Sequence, residues 1–419
     1  MSEEPRTIAA IATAPGRGAV AVVRISGPDA FDVCARLSGR PPEPGRIAVR
    51  TLRSDGRVID KCVVLAFASP CSYTGEDVVE FQCHGGGITP NRILEACLAS
   101  GARLARRGEF TERAFVNGRM DLSEAEGVIE LVDAKTVRAA DDAISRQGGA
   151  ASRIYRAIYE KVLALSATLE HALDVDEGDL PPDFLSAARE SAASAYDDMT
   201  RALAHAREGH ILRDGALVVL AGPPNAGKSS LMNALLGSSR AIVSSTPGTT
   251  RDSIEEWLDI GGWPVRLVDT AGLRGTSDEI EAEGVRRAEE LMAKADVVLA
   301  LDCRREGAIH VHSKCDLSRK ADVLNVSSAT GEGLDDLRAA IGAALLRLGA
   351  GFDEAAPTPS AREKALLMEA QAALSVGMDD LVLAANAVRN SADALGRLAG
   401  AVYSDDLLDA VFSRFCVGK

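Results

Sequence analysis

The chain has 419 residues, of which 46% are hydrophobic and 26% charged, and its formal net charge is −14 at pH 7. That length exceeds one ordinary core and predicts two or three domains, while the acidic balance argues against a non-specific grip on nucleic acid by the chain as a whole. No apolar run approaches the length of a membrane span, the start Met1-Ser-Glu-Glu-Pro-Arg6 has no signal-like apolar core, and the cysteines and histidines show no metal-ligand spacing, so the expectation is a cytoplasmic protein with reduced thiols.

Residues 1–119 read as a small α+β domain. Strands are predicted over 7–12 and 19–25, joined by the turn Pro15-Gly-Arg-Gly18, and a helix over 30–37. After the breaker Pro41-Pro-Glu-Pro-Gly45 come strands over 59–67 and 78–83, then a helix over 89–100 with Ile93, Leu94, Cys97 and Leu98 on one face. At Leu122 the texture turns helical. Ser123-Glu-Ala-Glu126 has the spacing of a capping box, and Val128, Ile129, Val132, Val137, Ile144, Ile154, Ile158, Val162 and Leu165 keep near-helical spacing to about residue 173. Another helix is predicted over 185–211, and Pro357-Thr-Pro359 opens a last helical region. Residues 120–212 and 351–419 therefore read as one discontinuous helical domain with an α/β module, 213–350, inserted in it. Arginines gather at Arg103, Arg106, Arg107, Arg113 and Arg119, and recur at Arg138, Arg146, Arg153 and Arg156. They are candidates for a local nucleic-acid patch, with solvated surface as the plainer alternative.

The inserted module carries the readable chemistry. Gly222-Pro-Pro-Asn-Ala-Gly-Lys-Ser-Ser230 fits G-x-x-x-x-G-K-S between an apolar run and a helical stretch, the setting a phosphate-cradling loop requires. The glycines let the backbone curl so that several N–H groups, with Asn225, Ala226 and Gly227 among the candidate nucleotide contacts, face a polyphosphate at the positive end of a helix. Lys228 reaches the outer phosphates, Ser229 ligates magnesium, and Ser230 ends the motif. Downstream, Ser244, Ser245, Thr246, Pro247, Gly248, Thr249 and Thr250 form a candidate mobile loop that brings Thr250 to the metal. Asp269 ends an apolar strand where it holds the metal through water, and Thr270, Ala271 and Gly272 complete a D-x-x-G switch. Ser313, Lys314 and Asp316 stand where the base is read: Lys314 lies along the purine, and Asp316 accepts two N–H donors that guanine offers and adenine lacks. Ser327, Ser328 and Ala329 occupy the loop that meets the guanine oxygen through backbone N–H. Four such strings in order within one domain length are a strong signal for a GTPase with bound magnesium.

Leu273 follows the switch where many GTPases carry a glutamine that orients water. Glu281, in the acidic run Asp278-Glu-Ile-Glu281, is the candidate substitute, and the alternative is that it opens a solvated helix. Asn225 is a candidate ligand for a monovalent cation beside the phosphates.

Further strings accompany the GTPase motifs: Arg24-Ile-Ser-Gly27, Tyr73-Thr-Gly-Glu-Asp77, His84-Gly-Gly86, Gly108-Glu-Phe-Thr-Glu-Arg-Ala114, Asp121-Leu-Ser-Glu-Ala-Glu126 and the terminal Phe415-Cys-Val-Gly-Lys419. Together they resemble the MnmE family of tRNA-modification GTPases over essentially the whole chain. The resemblance implies a homodimer whose N-terminal domains bind 5-formyltetrahydrofolate or a related folate, with Arg24, Glu80, Arg119 and Lys419 as its contacts. It implies a heterotetramer with the FAD-dependent partner MnmG, which builds an aminomethyl or carboxymethylaminomethyl group on the wobble uridine of certain tRNAs, with no membrane involved. It further implies GTP hydrolysis stimulated by potassium, held by Asn225, Ser244, Thr246 and Thr249, with Glu281 orienting water and Cys416 as a reactive thiol.

Several positions depart from the family pattern. Arg119 stands for a lysine, Ser313 for the asparagine that opens the base-reading motif, and Ala329 for a lysine or arginine. The apolar stretches 297–301 and 309–311 should be neighbouring parallel strands, yet about seven residues join them, so a crossover helix is missing. Two other function classes fit the GTPase motifs: a GTPase assisting ribosome assembly or RNA folding, and a nucleotide-regulated scaffold with little turnover. Folate binding separates the first reading from both, and GTP turnover in potassium separates the latter two.

Overall fold

The structure, a computed structural model, describes residues 6–175, 180–237, 255–269, 286, 288–348, 358–375 and 380–419. Two compact units are present: Met1–Glu126 with Ala399–Lys419, and Gly127–Leu398.

In the first unit, strands β1 (Ile8–Ile11), β2 (Val20–Ser26), β3 (Ala48–Ser54), β4 (Arg57–Phe67), β5 (Val78–His84) and β6 (Arg103–Leu104) form a sheet in the order β3-β4-β5-β2-β1-β6. Alternation sorts the two faces. Val23 and Ile25 of β2 and Val79, Phe81 and Cys83 of β5 pack under helices α1 (Ala30–Ser38) and α2 (Thr89–Ala99), while Arg24 and Glu80 point to the other face and stand opposite each other in register. On α2 the buried residues are Pro90, Ile93, Ala96 and Cys97, with Leu94 and Leu98 only half-buried, so the inward face is turned from the predicted one. The hairpin partner β3, the short β6 and helix α3 (Glu109–Val116) were not predicted: Arg50, Arg53, Arg103 and four charged or polar residues of α3 obscure the apolar period.

The C-terminal segment closes this unit. Helix Asp405–Phe412 precedes Phe415, and the rings of Phe115, Phe412 and Phe415 run in series with centroids 6.4 and 5.5 Å apart. Gly108 has φ +67°, and a Cβ there would come within 2.5 Å of the Phe412 carbonyl oxygen; Gly418, at φ +99°, passes as closely over the Ile11 carbonyl, at 2.4 Å. Val417 pairs with Arg107 in an antiparallel bridge, and Gly108 N–H donates to the Cys416 carbonyl at 3.3 Å. The final residues are thus a docked strap.

The helical stretch expected from Leu122 to about residue 173 is three helices, α4 (Leu122–Asp133), whose residues up to Glu126 belong to the first unit, α5 (Val137–Gln147) and α6 (Ala150–Leu173). The capping box lies two residues before the predicted one: Glu124 N–H donates to Asp121 Oδ1 at 3.0 Å, and Asp121 N–H to Glu124 Oε2 at 2.8 Å. Each break resets the helical phase, so Val132, Val137, Ile144 and Ile154 are exposed and Ala139, Ala143 and Tyr155 face inward instead. The helix predicted over 185–211 divides at His205 into α7 (Phe184–Ala204) and α8 (Ala206–Asp214). Helices α6 and α7 share one core with helices Ala361–Leu374 and Leu381–Leu398, which lie beyond the α/β module in sequence, so the module is an insertion in a helical bundle. Its two stems are clamped together. Arg213 Nη1 donates to the Thr358 carbonyl at 3.2 Å, and the fully buried Arg146 bridges Thr358 (2.7 Å), Glu363 (2.9 Å) and Glu130 (2.9 Å).

The module is a sheet in the order β12-β11-β10-β7-β9-β8, with β7 (Ala216–Ala221), β9 (Trp263–Asp269), β10 (Val297–Leu301), β11 (Ile309–His312) and β12 (Leu324–Asn325) parallel and β8 (Glu255–Ile260) antiparallel to β9. Every residue of β7 is buried, as a strand covered on both faces must be. Strands β10 and β11 pair in parallel although only residues 302–308, without a helix, join them. Register explains how: Ile309 lies opposite Leu299, so the chain returns past only two residues, roughly 7 Å, and seven residues reach about 23 Å. Among the described residues, no helix is long and apolar enough to cross a membrane.

Candidate functional site

The module's candidate site lies past the carboxyl ends of β7, β9 and β11, where open parallel sheets place their ligands. After β7 the phosphate loop turns into helix α9 (Lys228–Gly237). Gly222 must lack a side chain because its Cβ would meet the Leu301 carbonyl oxygen at 2.5 Å, and Asn225 (φ +62°) and Gly227 (φ +84°) curl the loop through left-handed conformations. The Lys228 ammonium donates to the carbonyls of Gly222 and Pro223 at 3.0 Å each, inside the cradle it serves. Ser229 Oγ donates to Asp269 Oδ2 at 2.5 Å, and Asp269 is 1% exposed. A hydroxyl and a buried carboxylate meeting at the loop are hard oxygen donors of the kind magnesium takes, so these residues fit that ion. Ala226 is buried beneath the loop and Ser230 exposed on the first turn of α9.

The candidate base-reading stretch sits against this loop. Lys314, at φ +55°, donates its ammonium to the Asn225 carbonyl at 3.1 Å, and Ser327 Oγ donates to Asp316 Oδ1 at 2.6 Å. Ser327, Ser328 and Ala329 belong to a closed turn in which Ser327 N–H bonds the Glu332 carbonyl and Gly331 N–H the Ser327 carbonyl. Ser313, the short substitute for asparagine, keeps a tether: its Oγ donates to Asp302 Oδ2 at 2.6 Å. Asp302 also receives His312 Nδ1 at 2.6 Å and the Lys320 ammonium at 3.3 Å. Burial pushes the Asp302 carboxyl up, but these donors outweigh it and hold it below the usual carboxylate range. Asp302 was not among the residues singled out from the sequence; its available signal was an acid ending the apolar strand 297–301. Ser244, Ser245, Thr246, Pro247, Gly248, Thr249, Thr250, Thr270, Ala271, Gly272 and Glu281 lie outside the described residues.

The first unit holds a second cluster. Arg24 Nε donates to Glu80 Oε1 at 2.9 Å, and its guanidinium lies 5.5 Å from the Tyr73 ring centroid and 5.6 Å from that of Phe110. Burial, and then Arg24 nearby, hold the Lys419 ammonium below its ordinary value, with Cys416 opposing. Cys416 itself is exposed. Arg119 packs its stem at the turn that follows Tyr73, within 3.2 Å of where a Cβ on Gly75 would stand. Cations, one carboxylate and two rings in one neighbourhood fit a planar heterocycle bearing carboxylates, as a folate is. Sequence reasoning found the charges and missed Phe110 and Tyr73 as ring neighbours. The arginine cluster is largely consumed internally: Arg103 and Arg113 pair with the buried Glu109, Arg113 also with Glu76, and Arg106 with Glu112. In the other unit Arg138 pairs with Glu208 and Arg146 with Glu363, so these side chains serve the fold.

Comparison with known proteins bears on the whole chain. The family model described as the GTP-binding protein TrmE N-terminus matches residues 7–119, and the MnmE helical domain matches residues 122–416. A tRNA modification GTPase MnmE from Neisseria gonorrhoeae (strain NCCP11945) is 42% identical over 456 residues, covering 100% of both chains. The MnmE of Symbiobacterium thermophilum is 41% identical over 466 residues with the same coverage, and that of Caulobacter vibrioides 41% over 445 residues, covering 99% of each. The first alignment is longer than the 419 residues of this chain, so that relative carries stretches absent here. Among solved structures, the G domain of the T. maritima FeoB iron transporter is 28% identical, covering 32% of this chain and 99% of its own, with a TM-score of 0.23. The matched family models and the full-length identity together establish that this chain belongs to the MnmE family of tRNA modification GTPases.

Proposed function

We propose that this chain binds and hydrolyses GTP in order to gate the modification of the wobble uridine of certain tRNAs. The observation that carries the reading is the convergence of the Lys228 cradle, the Ser229–Asp269 contact and the Asp316 carboxylate on one edge of the sheet, in a chain whose relatives over its full length are tRNA modification GTPases. Backbone N–H groups of 225–230 and Lys228 bind the phosphates; Ser229, Thr250 and Asp269 hold magnesium, the last through water, and when bound that ion offsets charge between the outer phosphates. Lys314 and Asp316 select guanine. With Leu273 unable to orient water, Glu281 does so, and Asn225, Ser244, Thr246 and Thr249 hold potassium when two modules of a homodimer meet.

In the N-terminal unit, Arg24, Glu80, Arg119 and Lys419 bind the folate, which supplies one carbon when present. Arg24, Arg119 and Lys419 would supply positive charge to it and Glu80 an acceptor, while Cys416 is presented beside Lys419 by the docked strap. The FAD-containing partner MnmG completes a heterotetramer that acts on tRNA. The test is single-turnover hydrolysis by the full chain. We expect rates in potassium to exceed those in sodium by about tenfold or more, and Glu281→Ala to bind GTP normally while losing about a hundredfold in rate, as removal of a catalytic group does. Equal rates in both salts would refute the potassium site, and unchanged turnover would return Glu281 to a solvated helix.

A further inference from the structure

We infer that Asp302 is the positioning residue of the base-reading loop in this chain, anchoring both ends of that loop from the strand beside it. The inference rests on the guanine-nucleotide reading above and deepens it.

Asp302 is the first residue after β10 and opens the seven-residue connection. It adopts φ +51°, a conformation few non-glycine residues take, and its N–H donates to the Val311 carbonyl at 2.9 Å. Its carboxylate is thereby turned toward the loop. One oxygen accepts Ser313 Oγ at 2.6 Å; the other accepts His312 Nδ1 at 2.6 Å and the Lys320 ammonium at 3.3 Å. Two of these donors open the base-reading stretch and the third lies beyond its close. His312 extends the grip, since its Nε2 is 2.9 Å from the Ser318 carbonyl oxygen. Lys314 and Asp316, which meet the base, lie between the two anchored ends.

The geometry also joins this anchor to the phosphate loop, because Gly222 is packed against the carbonyl of Leu301, the residue before Asp302. Hydrogen bonds to an ionised group are about twice as strong as neutral ones, and a fixed carboxylate orients several donors at once. A serine at position 313 is too short to span neighbouring loops as an amide side chain does, and Asp302 comes to it instead. The position of Asp316 relative to guanine is consequently set by a residue that does not touch the nucleotide.

The experiment measures equilibrium binding of GDP, inosine diphosphate and ADP to the full chain and to Asp302→Ala, Asp302→Asn, Ser313→Ala and the Asp302→Ala/Ser313→Ala pair. Inosine lacks the amino group that Asp316 accepts, so the GDP-to-inosine ratio reads the placement of Asp316 directly. In Asp302→Ala we expect GDP affinity to fall by about tenfold or more and the ratio to move toward one, as loss of charge-assisted bonds predicts. Asp302→Asn keeps the size and one acceptor oxygen and should give an intermediate ratio; it decides the matter if the alanine variant does not fold. Adding Ser313→Ala to Asp302→Ala should cost nothing further, because Ser313 acts through Asp302. An unchanged ratio in both Asp302 variants would overturn the inference, whether GDP affinity is kept or both nucleotides weaken together, since a purely structural role lowers them equally. A wild-type protein that binds ADP as well as GDP would instead overturn the guanine reading itself, and the role of Asp302 with it.

Discussion

Single residues in this protein act through the partners that hold them. If Asp316 selects the base as proposed, Asp316→Asn should shift preference from GTP toward xanthosine triphosphate, because the amide complements an oxygen where guanine has an amino group; competition binding with the two nucleotides checks this. Glu109 shows the same logic in the N-terminal unit. It is 2% exposed; burial pushes its carboxyl up, but hydrogen bonds from Arg103 and the Arg106 N–H, with Arg113 adding to them, bring it down to about 2. A carboxyl depressed in the folded state stabilises above its unfolded value and loses that contribution as pH falls through the folded one. The stabilisation, on the order of 3 kcal/mol, should therefore begin to fade near pH 4.5 and be mostly gone by about pH 2. Urea unfolding of the wild type and Glu109→Gln from pH 7 to 3 should show the two curves converging on acidification; parallel curves would contradict it.

At the scale of elements, the insertion stems and the C-terminal strap are the contacts on which the architecture depends. Arg146→Ala leaves Glu363 buried without its guanidinium and should cost about 3–5 kcal/mol in chemical denaturation, far more than substitution of the exposed Arg153. Gly418→Ala would drive a Cβ into the Ile11 carbonyl, so the strap should lift and carboxypeptidase should trim residues 416–419 faster than in the wild type; equal trimming would mean that the strap tolerates the methyl group. The strands and the phosphate loop were legible because buried parallel strands are short apolar runs and the loop needs glycine and lysine at fixed spacing. The breaks after α4, α5 and α7 were not, since polar cap residues such as Thr136 and His205 interrupt no apolar period by themselves. The partners of Asp302 were illegible for a related reason: Ser313 and Lys320 come to it through the pairing of β10 with β11, which spacing does not encode.

In the whole molecule a GTPase module is inserted in a helical bundle, and in the N-terminal unit Arg24, Glu80, Lys419 and the Cys416 strap lie together. Each site has its own readout. Cys416→Ser should leave GTP hydrolysis intact while modified nucleoside falls sharply, and normal nucleoside levels in cells carrying only that variant would reduce the thiol to a packing element. The most direct test of the central claim is nucleoside analysis of tRNA from cells lacking this protein and from the same cells supplied with it. We predict that the 5-substituted wobble uridine disappears in the first and returns in the second, and an identical nucleoside profile in the two would contradict the account.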